Sequence, residues 1–200
     1  MTQSRLSAKR SSMAQGFRVT VFPRFCVFAA LMLIIVPFPW FLGWMIAALI
    51  HEFFHCMALW ACGKKVFRIQ IDIGGAQIIA DQLTDGQTVF CSLAGPMGGG
   101  LLVFLSPHFP RLALCALMQT VYNLVPIFPL DGGRALYGLS RMLFSDRISQ
   151  WICRTVEWVL AAFVMSLSVY AALILHMGML PIVLAAIYFL RLKKLKIPCK

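Results

Sequence analysis

Residues 47–59 read AALIHEFFHCMAL, and they decide the fold because they place three ionisable side chains inside an apolar stretch. His51 and His55 are four residues apart, so on a helix both imidazoles lie on one face and can reach one metal ion. Glu52 lies beside them, where a carboxylate can act as a general base toward water. Accident is a weak explanation, since ionisable groups within a membrane span are costly and usually functional. The stretch therefore predicts two ligands of a zinc site, which needs a third protein ligand from elsewhere.

The composition is typical of an integral membrane protein. Of the 200 residues, 60% are hydrophobic and only 12% are charged, and the mean hydropathy is +0.83. A soluble domain of this size could not bury so much apolar surface. The formal charge of +11 arises from basic residues between and beyond the apolar stretches, which indicates topology signals and no nucleic-acid partner. The seven cysteines include no C-x-x-C pair, so we expect neither a disulfide framework nor a cysteine metal site.

The apolar stretches predict an all-α polytopic membrane protein with about six transmembrane helices. A single membrane domain covers residues 19–192, between cytosolic basic tails at 1–18 and 193–200. The predicted spans are 19–37, 41–62, 89–105, 112–130, 151–176 and 179–192. With the N-terminus in the cytosol, every Lys and Arg except Arg111 falls on the cytosolic side. This bias predicts that both termini, the H-E-x-x-H motif and residue 131 all lie toward the cytosolic face.

A small β-hairpin is expected at the membrane surface after the second span. Residues 66–73 alternate apolar and polar side chains, as a half-buried strand does. Gly74 and Gly75 interrupt this pattern, and residues 76–80 can return as a second strand. An ordinary connecting loop is the alternative for this region.

The third ligand is sought in residues 123–134, which read NLVPIFPLDGGR. Two prolines and two glycines make a regular helix unfavourable there. Unwound backbone at membrane depth is tolerated only where it is buried in protein or lines a wet cavity. Asp131 in this segment is the natural candidate for the third metal ligand.

The two motifs together resemble the site-2 protease family of intramembrane zinc metalloproteases. The resemblance spans roughly residues 40–145 and rests on His51-Glu52-Phe53-Phe54-His55, on Ala94-Gly95-Pro96, and on the N-x-x-P-x-x-P-L-D-G pattern from Asn123 to Gly132. It implies one Zn²⁺ per chain, held by His51, His55 and Asp131, with Glu52 as the general base. It also implies a substrate-binding set, since Asn123 matches an asparagine that holds the substrate backbone and the family's β elements bind unwound substrate by adding a strand. That set comprises Asn123, Gly74, Gly75, Pro126 and Pro129.

Within the family, the six-span plan looks most like the sporulation branch that processes a sigma-factor precursor. Neither a PDZ-like insertion nor the branch's nucleotide-sensing (CBS) domain is found in these residues. The resemblance implies hydrolysis of a membrane-associated protein substrate, such as a sigma-factor precursor or an anti-sigma factor, in a bacterial cell or forespore membrane. The implied partners are that substrate, the lipid bilayer and a regulatory membrane protein.

Two other functions remain open at this point. A membrane metal transporter also uses histidines and aspartates within spans, but it would need further polar sites along a path. A catalytically inactive membrane scaffold is the second alternative, although scaffolding needs no such metal geometry. Glu157 and His176, near the ends of the fifth predicted span, are assigned no role.

Overall fold

The computed structural model describes residues 18–72 and 75–173. These residues form six helices and one three-stranded sheet. In chain order the elements are β1 (Arg18–Val21), α1 (Pro23–Ile35), α2 (Phe38–Ala61), β2 (Val66–Asp72), β3 (Gly75–Ala80), α3 (Asp85–Val103), α4 (Pro110–Leu124), α5 (Asp131–Leu143) and α6 (Asp146–Leu173). The described part of the chain is thus mostly helical with a small sheet. The predicted sixth span and the basic tail after it lie outside the described residues.

Two helices, α2 and α6, are long and apolar enough to cross a membrane. They correspond to the predicted second span and to the described part of the predicted fifth span. Helix α1 is apolar but has 13 residues, which gives about 20 Å at 1.5 Å per residue against a hydrocarbon core of about 30 Å. Among the described residues, length and composition single out only α2 and α6, so six crossings stay a prediction.

The sheet has the order β1-β2-β3, with β2 in the centre. Strands β2 and β3 pair antiparallel from Val66↔Ala80 to Asp72↔Gly75, so the predicted hairpin is present. Strand β1 adds a parallel pairing, from Arg18↔Arg68 to Val21↔Ile71, that the sequence did not indicate. The predicted first helix therefore begins only at Pro23, because the β-branched residues before it pair with β2 and proline favours the first turn of a helix.

Helix α3 is the centre of the helical part and packs against α2, α4 and α5. It begins with a capping box, in which Gln87 N–H donates to Oγ1 of Thr84 at 3.3 Å and Thr84 N–H donates to the Gln87 side chain at 3.1 Å. Small residues on α3 allow close approach of its neighbours: a Cβ at Gly98 would lie 2.5 Å from the ring of Phe54 on α2. Small residues that permit such close packing are typical of contacts between helices where lipid supplies no hydrophobic driving force.

Polar contacts join one end of α3 to α5 and α6. Arg141 on α5 forms ion pairs with Asp85 at 3.2 Å and with Asp146 at 2.5 Å. The hydroxyl of Tyr137 also donates to Asp146, at 2.7 Å. This Arg141 network fixes the end of α5 that is remote from Asp131.

Candidate metal centre

Helix α2 carries the histidine pair. Its apolar residues form one continuous helix from Phe38 to Ala61, which ends where Gly63 adopts a φ of +67°, a conformation that glycine accepts readily. His51 and His55 lie one turn apart, with ring centroids 4.8 Å apart and an interplanar angle of 83°. His51 is only 5% exposed. The motif spacing thus places both imidazoles on the inner face of the helix.

Asp131 contacts this pair although it is 76 residues after His55 in the sequence. The chain leaves α4 at Leu124, turns through residues 125–130, and enters α5 with Asp131 as its first residue. Oδ2 of Asp131 lies 3.0 Å from Nε2 of His51 and 3.1 Å from Nε2 of His55. The two Nε2 atoms are themselves 3.1 Å apart. Three ligand-type atoms from segments 76 residues or more apart in sequence therefore converge on one buried point.

The protonation pattern of His55 shows what this cluster can hold. Its Nδ1 lies 2.7 Å from the carbonyl oxygen of Cys91, and a carbonyl cannot donate, so Nδ1 carries the proton. In the neutral ring Nε2 is then a bare acceptor, and it faces the acceptor oxygen of Asp131. Acceptors this close repel one another unless they share a cation, and an N–H bonded to a carbonyl is the usual support of a metal-ligating histidine.

The distances within the cluster fit a tetrahedral metal ion. Ligand bonds of about 2.0–2.1 Å at tetrahedral angles separate the ligand atoms by about 3.3 Å. The three observed separations are 3.0, 3.1 and 3.1 Å. Nitrogen, nitrogen and carboxylate oxygen also form a donor set that suits Zn²⁺. The residues present therefore fit a zinc ion with three protein ligands.

Helix α3 forms one wall of the cluster and needs a glycine there. A Cβ on Gly95 would overlap Nε2 of His55 and would lie 2.8 Å from Cε1 of His51. Nδ1 of His51 is buried and has no hydrogen-bond partner among the described residues. The polar contacts of the His51 ring are therefore made through Nε2, whereas the His55 ring also has a hydrogen bond at Nδ1.

Gly132 and Gly133 allow α5 to begin so close to the preceding turn. A Cβ on Gly132 would overlap the carbonyl oxygen of Leu124 and lie 2.7 Å from that of Val125. A Cβ on Gly133 would lie 2.5 Å from the carbonyl carbon of Ile127. These contacts are with backbone atoms, which cannot move aside as a side chain can. The two glycines therefore set the depth at which Asp131 enters the cluster.

Glu52 is half-buried on α2, next to His51 in the chain. Its carboxylate interacts electrostatically with both histidines, with Asp131 and with the exposed Arg134 on the first turn of α5. Glu52 itself is not among the three side chains that could bind the metal.

The residues predicted to bind substrate are distributed over three elements. Asn123 is half-buried on the last turn of α4, and Pro126 and Pro129 lie in the turn that follows. Gly75 is the exposed first residue of β3, with a φ of +105°, and Gly74 lies outside the described residues. The structure brings His51, His55 and Asp131 together, and substrate binding by the other residues stays a prediction.

Two residues that take part in hydrogen bonds around the site were assigned no role from the sequence. The carbonyl of Cys91 orients His55, but a backbone group leaves no signal in the sequence. Glu157 on α6 accepts a hydrogen bond from the N–H of Phe128 at 3.0 Å. The only signal in the sequence for Glu157 was that a carboxylate in an apolar helix usually has a function.

Comparison with known proteins assigns the fold. No family model matches the chain, and no curated protein matches it significantly. Among solved structures, the chain is similar to the Site-2 Protease from Methanocaldococcus jannaschii, with a TM-score of 0.56 and 20% sequence identity. The match covers 92% of this chain and 95% of that one. The chain therefore shares the fold of that protease over nearly its whole length.

Proposed function

We propose that this protein is an intramembrane zinc metalloprotease that cleaves a peptide bond in or near a transmembrane segment of a membrane-associated protein. One observation carries the proposal: two histidines and an aspartate, from sequence segments far apart, converge within 3.1 Å of one another beside the carboxylate of Glu52. Zinc proteases require this combination of three protein ligands and a general base. The shared fold with a site-2 protease supports the proposal.

The mechanism assigns a task to each of these side chains. Nε2 of His51, Nε2 of His55 and Oδ2 of Asp131 would hold one zinc ion. When bound, zinc supplies a Lewis acid that polarises a peptide carbonyl and makes water more acidic. The carboxylate of Glu52 takes a proton from the attacking water and delivers it to the leaving amine nitrogen. Cys91, through its carbonyl, keeps His55 in the tautomer that ligation needs.

The substrate would have to unwind before it can be cut. A helix hides its carbonyls in its own hydrogen bonds, so the scissile segment must become extended first. Strand β3 is an edge of the sheet, and an extended peptide can add to such an edge through main-chain hydrogen bonds. In this proposal Gly74 and Gly75 permit close backbone approach, while Asn123, with Pro126 and Pro129, binds the substrate backbone nearer the metal.

The proposed setting is a bacterial membrane with six crossings, cytosolic termini and the metal centre toward the cytosolic face. The two long apolar helices and the cytosolic bias of Lys and Arg support it. A sigma-factor precursor or an anti-sigma factor is the substrate class suggested by the family resemblance. A metal transporter is less well supported, since His51, His55 and Asp131 make the only group of three or more metal-ligating side chains in residues 18–72 and 75–173.

The decisive experiment compares wild type with Glu52→Gln in proteoliposomes that contain a single-span substrate. Both proteins should hold about one zinc ion per chain, and the variant should cleave about 10²–10⁴-fold more slowly. Asp81→Asn is the matched control, because this carboxylate accepts a backbone hydrogen bond from Lys65 in the sheet region, and it should cleave as wild type does. Undiminished cleavage by Glu52→Gln would refute the mechanism. Zinc uptake into the vesicles, lost in His51→Ala, would favour the transporter instead.

A further inference from the structure

Glu157 is a buried carboxylate that the proposed chemistry does not use. It lies on α6, one of the two helices able to cross a membrane, and is 8% exposed. Burying a carboxylate is costly unless hydrogen bonds compensate the lost hydration. Its Oε1 accepts the backbone N–H of Phe128 at 3.0 Å. The side chain therefore ties α6 to the turn that precedes Asp131.

The turn at residues 125–130 has four backbone N–H groups, because Pro126 and Pro129 have none. Three of them bond to carbonyls within or just before the turn: Val125 to Tyr122 at 3.2 Å, Ile127 to Val125 at 2.8 Å, and Leu130 to Ile127 at 2.9 Å. The fourth, that of Phe128, is the one that Glu157 accepts. The carboxylate thus completes the hydrogen bonding of the turn from outside.

The first turn of α5 also packs closely against the peptide group between Ile127 and Phe128. A Cβ on Gly133 would lie 2.5 Å from the carbonyl carbon of Ile127 and 2.7 Å from the nitrogen of Phe128. Gly133 is only two residues after Asp131. The Ile127–Phe128 peptide group is therefore in contact with both the first turn of α5 and the carboxylate of Glu157.

We propose that Glu157 is a positioning residue for the metal centre. By holding the N–H of Phe128, it fixes the peptide on which the first turn of α5 rests, and so it sets Asp131 against His51 and His55. Its consequence for metal binding rests on the proposed function. The placement of the turn does not depend on that function, so the two can be tested separately.

The first test measures amide hydrogen exchange of the turn in the purified full-length protein. Glu157→Leu removes the acceptor and Glu157→Asp withdraws it by one methylene, so in both variants the Phe128 amide should exchange about tenfold faster or more. Glu157→Gln keeps an acceptor oxygen at the same reach and should exchange as wild type does. Asp146→Asn is the control, because it alters another contact between α6 and α5 without touching Phe128. If Glu157→Leu does not fold, Glu157→Asp decides the question.

The second test reads the geometry of the site with Co²⁺, whose visible spectrum reports the ligand arrangement. Glu157→Leu and Glu157→Asp should show an altered cobalt spectrum and lose the ion to a chelator about tenfold faster than wild type. Glu157→Gln and Asp146→Asn should match wild type in both measurements. Wild-type exchange and spectra in the Leu and Asp variants, or a Gln variant as perturbed as they are, would overturn the inference. Wild-type protein that binds neither zinc nor cobalt would refute the proposed function, and hydrogen exchange would still decide whether Glu157 fixes the turn at residues 125–130.

Discussion

The Nδ1–H of His55 donates a hydrogen bond to the carbonyl oxygen of Cys91 at 2.7 Å. The donor is on α2 and the acceptor is on α3. The carbonyl on α3 therefore engages Nδ1 of His55 and leaves Nε2 free. A hydrogen bond of this kind orients the ring and leaves Nε2 free to bind a metal ion. Helix α3 thus helps to arrange the candidate metal centre, although it contributes none of the three atoms that could bind the ion.

Gly95→Ala should disable the metal centre from the side of α3. The added Cβ would overlap Nε2 of His55 and crowd His51, so zinc should bind at least about tenfold more weakly. Competitive titration against a chromophoric chelator measures this. Gly100→Ala on the same helix is the control, since a Cβ there would meet nothing within 4 Å, and it should bind zinc as wild type does. Equal affinity in Gly95→Ala would contradict the packing described here.

Asp131→Ala should lose the metal, because one of three ligands is removed from a buried site. Detergent-purified wild type should contain about one zinc per chain after loading, and the variant far less, by elemental mass spectrometry. Asp81→Ala removes a carboxylate that accepts the Lys65 N–H at 3.0 Å and should keep the metal. Equal zinc in wild type and Asp131→Ala would remove Asp131 from the ligand set.

Gly132→Ala should destabilise the protein, because its Cβ would overlap the carbonyl oxygen of Leu124. The backbone must shift to make room, and overpacking of this kind costs about 1–3 kcal/mol. Thermal unfolding in detergent measures the change. The matched control is Gly86→Ala, where the nearest atom is the flexible Cε of Met142 at 3.9 Å. A stability for Gly132→Ala equal to that of Gly86→Ala would show that the turn can relax without cost.

Arg141→Ala should lower the Tm, because the Arg141 network would lose its ion pairs with Asp85 and Asp146. The difference from wild type should shrink as NaCl is added, since salt screens partly exposed pairs. Arg147→Ala, an exposed arginine on the next helix, is the control and should change the Tm less. A loss of Tm that is independent of salt would mean that packing of the Arg141 side chain matters more than its charge.

Asn123→Ala should weaken substrate use and leave the metal in place. If Asn123 bonds the substrate backbone, losing that bond should lower kcat/KM by about tenfold while zinc stays near one per chain. The neighbouring Tyr122, 61% exposed, gives the control Tyr122→Phe, which should cleave normally. Loss of zinc in Asn123→Ala would reassign this residue to the architecture of the metal centre.

The motif geometry was accessible from the sequence because it depends on local rules. A spacing of four residues puts His51 and His55 on one helical face, and alternation over residues 66–73 predicted β2. The place of Asp131 followed from the broken pattern of prolines and glycines around it. Each of these inferences uses residues close together in the chain.

What the sequence could not supply depends on contacts between distant segments. Strand β1 has four residues and is defined by its pairing with β2, some 50 residues away, so residues 18–21 look locally like the start of an apolar helix. Every residue has a backbone carbonyl, so the sequence does not show that the carbonyl of Cys91 orients His55. The role of Glu157 depends on which backbone amide happens to lie opposite it. None of these contacts has a local signature.

Strands β1 and β2 run side by side in the same direction, although α1 and α2 separate them in the chain. If the sheet lies at a membrane surface, as proposed, a chain that leaves it at Val21 and rejoins it at Val66 must return to that same surface. In that case, the segment between the two strands would cross the bilayer an even number of times. If α2 makes one passage, α1 makes the other, with 13 residues where about 20 are usual. The bilayer would then be locally thinner around α1, or the residues flanking α1 would span part of its thickness.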